Sequence, residues 1–118
     1  MNSRQRNVLG RFSADAQKLY GERLLGLYVF DYLFDESVDD DEISVDADVA
    51  VVLADGDWGF LEEKKRLVEV TFKILLDTEV YIRAWPLPVS AWRDPSTYSN
   101  PTLVREIKRH SEPIMEAV

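Results

Sequence analysis

The sequence predicts an α+β fold: a small mixed β-sheet of about three to four strands, with helices packed mainly on one face. Two observations support this prediction. Two long segments carry apolar residues at helical spacing, and two apolar runs between them have the length and composition of buried strands. The chain has 118 residues and no internal repeat, so a single domain over 1–118 with one core is expected.

The first half of the chain predicts a helix followed by two strands. Apolar residues recur at threes and fours from Val8 to Leu19, which predicts a helix over 4–20 that stops at Gly21. Residues 24–34 are rich in Leu, Tyr, Val and Phe and predict a buried strand that runs on or turns. The acidic run from Asp35 to Glu42 predicts a loop or hairpin tip. A second strand is predicted over 45–54.

The second half predicts a long helix, a third strand and a short helix. Asp57 is a candidate N-cap for a helix over 58–77. One helix face is traced by Phe60, Leu61, Lys64, Leu67, Val68, Thr71, Phe72 and Leu75. A strand over 79–85 should be closed by the Pro-Leu-Pro at 86–88, and an irregular segment follows. Asn100 and Pro101 then predict the cap and first turn of a short helix, completing the order α-β-β-α-β-α.

Charge and composition exclude several classes of function. The net charge of −8 argues against direct nucleic-acid binding, which requires basic surface. Between Leu24 and Glu63 there is no Lys or Arg, while 13 of the 22 acidic residues lie there, which permits a basic protein partner. The chain has no cysteine, no apolar run of membrane-spanning length and no secretory pattern at its N-terminus. We therefore expect a cytoplasmic protein that does not enter a membrane.

Asp46 and Asp48 are the main candidates for a chemical site. They lie two residues apart at the start of the second apolar run, and side chains at i and i+2 of a strand share one face. Paired carboxylates suit a hard divalent cation such as Mg²⁺. The alternative is that the two carboxylates have no chemical role and are simply exposed to solvent where the strand begins.

The sequence from Asp46 to Leu53, following a helix and a Leu-Tyr-Val-Phe strand, resembles the minimal nucleotidyltransferases of the polymerase-beta-like superfamily. The run from Trp92 to Ile107 also looks like a tail found in one bacterial branch of that family. The resemblance covers roughly residues 19–111. It implies a nucleotidyltransferase-like domain in which Asp46 and Asp48 bind Mg²⁺ for transfer from ATP.

Several positions depart from the pattern of the family. Asp31 and Tyr32 occupy the place of a Gly-Ser pair that cradles the nucleotide phosphate, so cofactor-binding residues are unknown. Tyr81 stands where a third carboxylate is expected on the third strand, and Glu79, two residues earlier, is the remaining candidate for that metal ligand. The loop between the first two strands has acidic residues in place of the family's arginines.

The resemblance implies two functions. Proteins of this size and family are commonly antitoxins that bind and neutralise a HEPN-family ribonuclease toxin, and the lost Gly-Ser pair favours neutralisation by contact, with catalysis weakened or lost. The alternative is an active, Mg²⁺-dependent enzyme that moves AMP from ATP to a tyrosine of its partner, with Asp46 and Asp48 as the catalytic residues. A third possibility is a regulatory or dimerisation domain without a nucleotide, and the oligomeric state is left open between homo- and hetero-oligomers.

Each remaining candidate has a structural interpretation and a functional one. The acidic run over 35–42 is a solvated loop or an arm that docks on a basic partner. His110, the only histidine, is expected at the surface rather than in a catalytic site. Trp92 lies in a polar segment and is a packing residue or an interface anchor. Lys64, Lys65 and Arg66 form a solvated helix face or, less favoured, a nucleotide contact.

Overall fold

In the described part of the chain, four strands form one mixed sheet, which confirms the predicted α+β class. The computed structural model describes residues 3–30 and 46–116, so Asp31, Tyr32 and the acidic run over 35–42 lie outside the described residues. The strands are β1 (Leu24–Phe30), β2 (Ala47–Leu53), β3 (Ile82–Pro88) and β4 (Ser111–Glu116). Their order in the sheet is β3-β2-β1-β4; β1 is antiparallel to β2 and β4, and β2 is parallel to β3.

Four helices among the described residues connect and cover the strands. They are α1 (Ser3–Tyr20), α2 (Phe60–Thr78), α3 (Val89–Arg93) and α4 (Pro101–Arg109), with short 3-10 turns at Gly21–Arg23 and Pro95–Thr97. As predicted, α1 ends before Gly21, whose φ of 56° is a conformation that favours glycine. Across residues 3–30 and 46–116, no helix is both long and apolar enough to cross a membrane.

The main core lies between the sheet and the two long helices. Strand residues that alternate along β2, Val49, Val51 and Leu53, are buried against Phe12 of α1 and Leu67 of α2. The opposite face of the sheet carries a smaller apolar cluster under the shorter α4. That cluster consists of Phe30, Ala50, Leu87, Val104 and Ile107. The sheet is therefore covered mainly on one face.

The predicted apolar face of α2 does not pack as one surface. Leu67 and Thr71 are buried, together with Glu63 and Ile74. In contrast, Leu61 and Phe72 are exposed. The predicted apolar face of α2 is wider than the surface that contacts the sheet. Only one side of that face is buried, so the helix is rotated relative to the prediction.

The predicted boundaries of β3 and α2 need three corrections. Strand β3 begins at Ile82, because Glu79 instead adopts a left-handed conformation that ends α2. Pro86 and Pro88 lie within β3 and do not close it, since an edge strand tolerates residues without an N–H. The N-cap of α2 is Gly59, not Asp57.

Two elements were absent from the predicted order. Strand β4 pairs with β1 although Pro113 interrupts it and its residues do not alternate in burial. The short helix α3 lies in the segment predicted to be irregular. By contrast, the predicted cap of α4 is confirmed, because the Asn100 side chain accepts a hydrogen bond from the Leu103 N–H at 3.2 Å.

Candidate functional site

Asp48 lies inside the sheet and not at a solvent-facing strand entry. It is the second residue of β2 and is only 7% exposed. Because strand side chains alternate, Asp48 shares its face with Ala50, which belongs to the small cluster under α4. A carboxylate in such a place requires partners for its charge.

Arg83 and Trp85 supply those partners from β3. Arg83 pairs with Asp48 in the parallel register, and its Nε and Nη2 donate to the two carboxylate oxygens at 2.6 and 3.2 Å. Trp85, two residues further on, donates its indole N–H to Asp48 Oδ1 at 3.1 Å. A hydrogen bond to a charged group contributes about 1.5–3 kcal/mol to stability, and the two bonds from Arg83 form a bidentate pair. Both oxygens of Asp48 are therefore engaged within the fold.

Lys64 of α2 adds a second positive charge near Asp48, beside strand β3. Its ammonium lies 5.4 Å from the centre of the Trp85 ring and donates to the Ala84 carbonyl of β3. Burial and then the charge of Arg83 lower the pKa of Lys64, and Asp48 opposes that shift. The surroundings of Asp48 are thus cationic, a poor environment for a divalent cation.

Asp46 has a different setting from Asp48. It is exposed and precedes β2. Its Oδ2 accepts the Tyr81 N–H at 2.8 Å, while its own N–H donates to the Tyr81 carbonyl at 2.9 Å. Asp46 therefore ties the start of β2 to the start of β3. It also lines a cleft that includes His110 and Glu112 and does not include Asp48.

The described part of the chain brings no three potential ligands together. Among residues 3–30 and 46–116, no group of three or more His, Asp or Glu side chains is placed to hold a metal ion. Glu79, the candidate third ligand, is exposed and caps α2, where its N–H donates to the Leu75 carbonyl. Mg²⁺ binding by Asp46, Asp48 and Glu79 stays a prediction.

His110 and Trp92 have ordinary structural surroundings. His110 is exposed at the end of α4, with its Nε2 3.5 Å from a carboxylate oxygen of Glu106. Trp92 is half-buried and stacks on Tyr28 with ring centres 4.4 Å apart. Lys108 donates to the Trp92 carbonyl at 2.6 Å. Trp92 is therefore a packing residue in this fold.

A second buried carboxylate lies at the other end of the sheet. Glu63 of α2 is 1% exposed, and its Oε1 lies 3.1 Å from Arg66 and 3.6 Å from Arg23. Its Oε2 and the buried Tyr20 hydroxyl have no hydrogen-bond partner among the described residues. Burial, and then the nearby Glu63 carboxylate, raises the pKa of Tyr20.

The residues that sequence reasoning missed are Arg83, Trp85 and Glu63. Arg83 and Trp85 are two apart, so they point to one face of a strand, and this spacing was a usable signal. Glu63 gave no signal, because a single Glu on a helix is ordinarily solvated.

Searches of protein-family models, curated proteins and solved structures found no match to this chain.

Proposed function

We propose that this protein acts by binding another protein, as an antitoxin of the minimal-nucleotidyltransferase kind that neutralises a HEPN-family ribonuclease toxin. The observation that carries the proposal is the engagement of Asp48. Its two oxygens already bind Arg83 and Trp85. The family resemblance supplies the class of partner, and the engaged carboxylate favours a contact mechanism over group transfer.

The cost of freeing Asp48 supports this choice. For Asp48 to bind Mg²⁺, both guanidinium bonds would have to break, and Arg83 would be left beside a divalent cation. Removing one partner of a buried ion pair costs about 3–5 kcal/mol, and less where one partner is partly exposed, as Arg83 is. Lys64 adds a further positive charge to the same neighbourhood. Metal-dependent catalysis would work against these interactions.

The test separates neutralisation from catalysis. The protein and the product of the adjacent gene are purified, and ribonuclease activity of that product is measured with increasing amounts of the wild-type chain or of Asp46→Asn. Asp46 is exposed, and asparagine keeps a side-chain oxygen that can accept the Tyr81 N–H, so this variant should fold normally. We expect both chains to inhibit equally at a fixed stoichiometry, in the absence of ATP and Mg²⁺.

A parallel reaction with labelled ATP and Mg²⁺ tests the alternative. Transfer of label to a tyrosine of the adjacent gene product, lost in Asp46→Asn, would make the protein a nucleotidyltransferase and overturn the proposal. Neutralisation that occurs only after such transfer would have the same meaning. An adjacent product that is neither bound nor inhibited would also contradict it.

A further inference from the structure

The outer face of α2 carries an apolar surface that the fold leaves uncovered. Leu61, Val68, Phe72 and Leu76 are 72%, 48%, 55% and 66% exposed. They are spaced by seven, four and four residues, so they lie on one side of the helix. We call these four residues the α2 stripe; at 1.5 Å per residue it runs for about 22 Å along the helix.

We infer that the α2 stripe is the interface of a homodimer, in which α2 of one copy packs against α2 of a second copy of this chain. The first argument is area. Three of the four residues are aliphatic, so we take roughly 150 Å² for each, the lower end of the range for aromatic side chains, and the exposed parts of the stripe then come to on the order of 400 Å². A standard interface takes about 800 Å² from each partner, and homodimer interfaces are about 65% apolar, which requires a similar apolar area.

The second argument is charge. The whole chain has a net charge of −8, so most surfaces of two copies repel each other. Helix α2 is different, because four acidic residues are balanced by four basic ones. They are Glu62, Glu63, Glu69 and Asp77, and Lys64, Lys65, Arg66 and Lys73. A second copy can therefore approach this helix without the repulsion expected elsewhere.

The rim of the stripe is also self-complementary. Lys65, Glu69 and Lys73 follow one another at intervals of four, from the edge of the stripe onto one flank, with alternating sign. In a twofold pair of antiparallel helices, each flank meets the same flank of the other copy. Lys65 of one copy can then lie beside Glu69 of the second, whereas a rim of one sign would repel itself.

The neighbouring sheet edge is a less suitable place for association. Strand β3 is an edge strand, but Pro86 and Pro88 provide no N–H for another strand to pair with. The Lys64 ammonium also donates to the Ala84 carbonyl on that strand. Extension of the sheet is thus opposed, which favours the helix face over this sheet edge as the site for a second copy.

The inference is tested on the purified full chain, without any partner, by sedimentation velocity over a wide range of concentration. We expect a species of twice the 13.6 kDa chain mass. Phe72→Lys and Val68→Lys should weaken dimerisation by roughly 100-fold, since a lysine in the centre of an apolar interface loses a buried anchor and adds repulsion. Both residues are half exposed, so the monomer should stay folded.

Leu19→Lys is the matched control. Leu19 of α1 is 39% exposed and lies outside α2, so this variant should dimerise like the wild type. Lys65→Glu and Glu69→Lys should each weaken the dimer, and the double variant should restore it in part, because the exchange keeps opposite charges at the paired positions 65 and 69.

Two outcomes would overturn the inference. One is a wild-type chain that stays monomeric at the highest concentration. The other is a dimer that persists in Phe72→Lys and Val68→Lys. The inference does not depend on the proposed function, because inhibition of the adjacent gene product is a separate measurement. A monomeric wild type whose toxin binding is lost in Phe72→Lys would assign the stripe to the toxin and not to a second copy.

Discussion

Arg83 lies directly beside Asp48 in the parallel pairing of β2 and β3, although 35 residues separate the two along the chain. The guanidinium therefore holds the carboxylate that the local motif singled out as a metal ligand. The parallel register decides this, because it places position 83 of β3 opposite position 48 of β2. The chemistry available to an Asp-x-Asp pair thus depends on a residue of the neighbouring strand.

Arg83→Gln should lower the free energy of unfolding by about 2–3 kcal/mol, because it leaves a buried carboxylate without its charged partner. Urea denaturation gives the value. The matched control is Arg109→Gln, whose ion pair with Glu106 at 3.8 Å is exposed and should contribute less than about 1 kcal/mol. The double variant Asp48→Asn with Arg83→Gln should recover part of the loss. Equal effects of the two single Arg substitutions would contradict the assigned role of Arg83.

The raised pKa of Tyr20 predicts that the protein loses stability at alkaline pH. Its pKa is raised above the ordinary value of 10.0 by burial and by Glu63, so the folded state keeps a proton that the unfolded chain releases. Stability that is fully present below pH 10.0 should therefore fall as the pH rises above it. Denaturation at pH values on both sides of 10 measures the slope, and Tyr20→Phe should reduce it.

Part of the alkaline slope should survive in Tyr20→Phe. Burial, followed by the charge of Glu116, also raises the pKa of Tyr28. Tyr28→Phe is therefore the companion variant, with a smaller expected effect, because Tyr28 is less buried than Tyr20. An alkaline slope unchanged in Tyr20→Phe would show that the Tyr20 hydroxyl is not held in its protonated form.

Elements with strong local signals were predictable. The periodicity of α1, the glycine that ends it and the asparagine that caps α4 are local features, and each agrees with the structure. The apolar run of β2 predicted a buried strand for the same reason. These signals act over a few residues, so no knowledge of the tertiary fold was required.

Features set by distant contacts were not predictable. Strand β4 has Pro113 and no alternation, and it forms because the edge of β1 is available for pairing. The face that α2 presents to the sheet depends on how the helix packs. Periodicity alone could therefore not show that Thr71 is buried and Phe72 is exposed. The partner of Asp48 depends on strand register, which no local pattern in β2 specifies.

Asn100→Ala should destabilise the protein by about 1 kcal/mol. The Asn100 side chain accepts the Leu103 N–H, which otherwise has no partner at the start of a helix. Because α4 covers the smaller apolar cluster, the loss should appear in the global unfolding transition measured by urea. Asn100→Asp keeps an acceptor at the same place and should remain near the wild type. A loss of similar size in both variants would assign the effect to something other than the cap.

Glu79→Gly should stabilise the fold. Glu79 has a φ of 61°, which costs roughly 1 kcal/mol for a residue with a Cβ and little for glycine. We expect a gain of about 0.5–1 kcal/mol in the free energy of unfolding, reduced somewhat by the greater freedom of glycine in the unfolded chain. Glu79→Ala keeps the Cβ and should give no such gain, so it is the matched control. Thermal unfolding of the wild type and both variants, with and without Mg²⁺, adds a second readout. If Mg²⁺ raised the Tm of the wild type and of neither variant, Glu79 would be a metal ligand and its role would not be limited to ending α2.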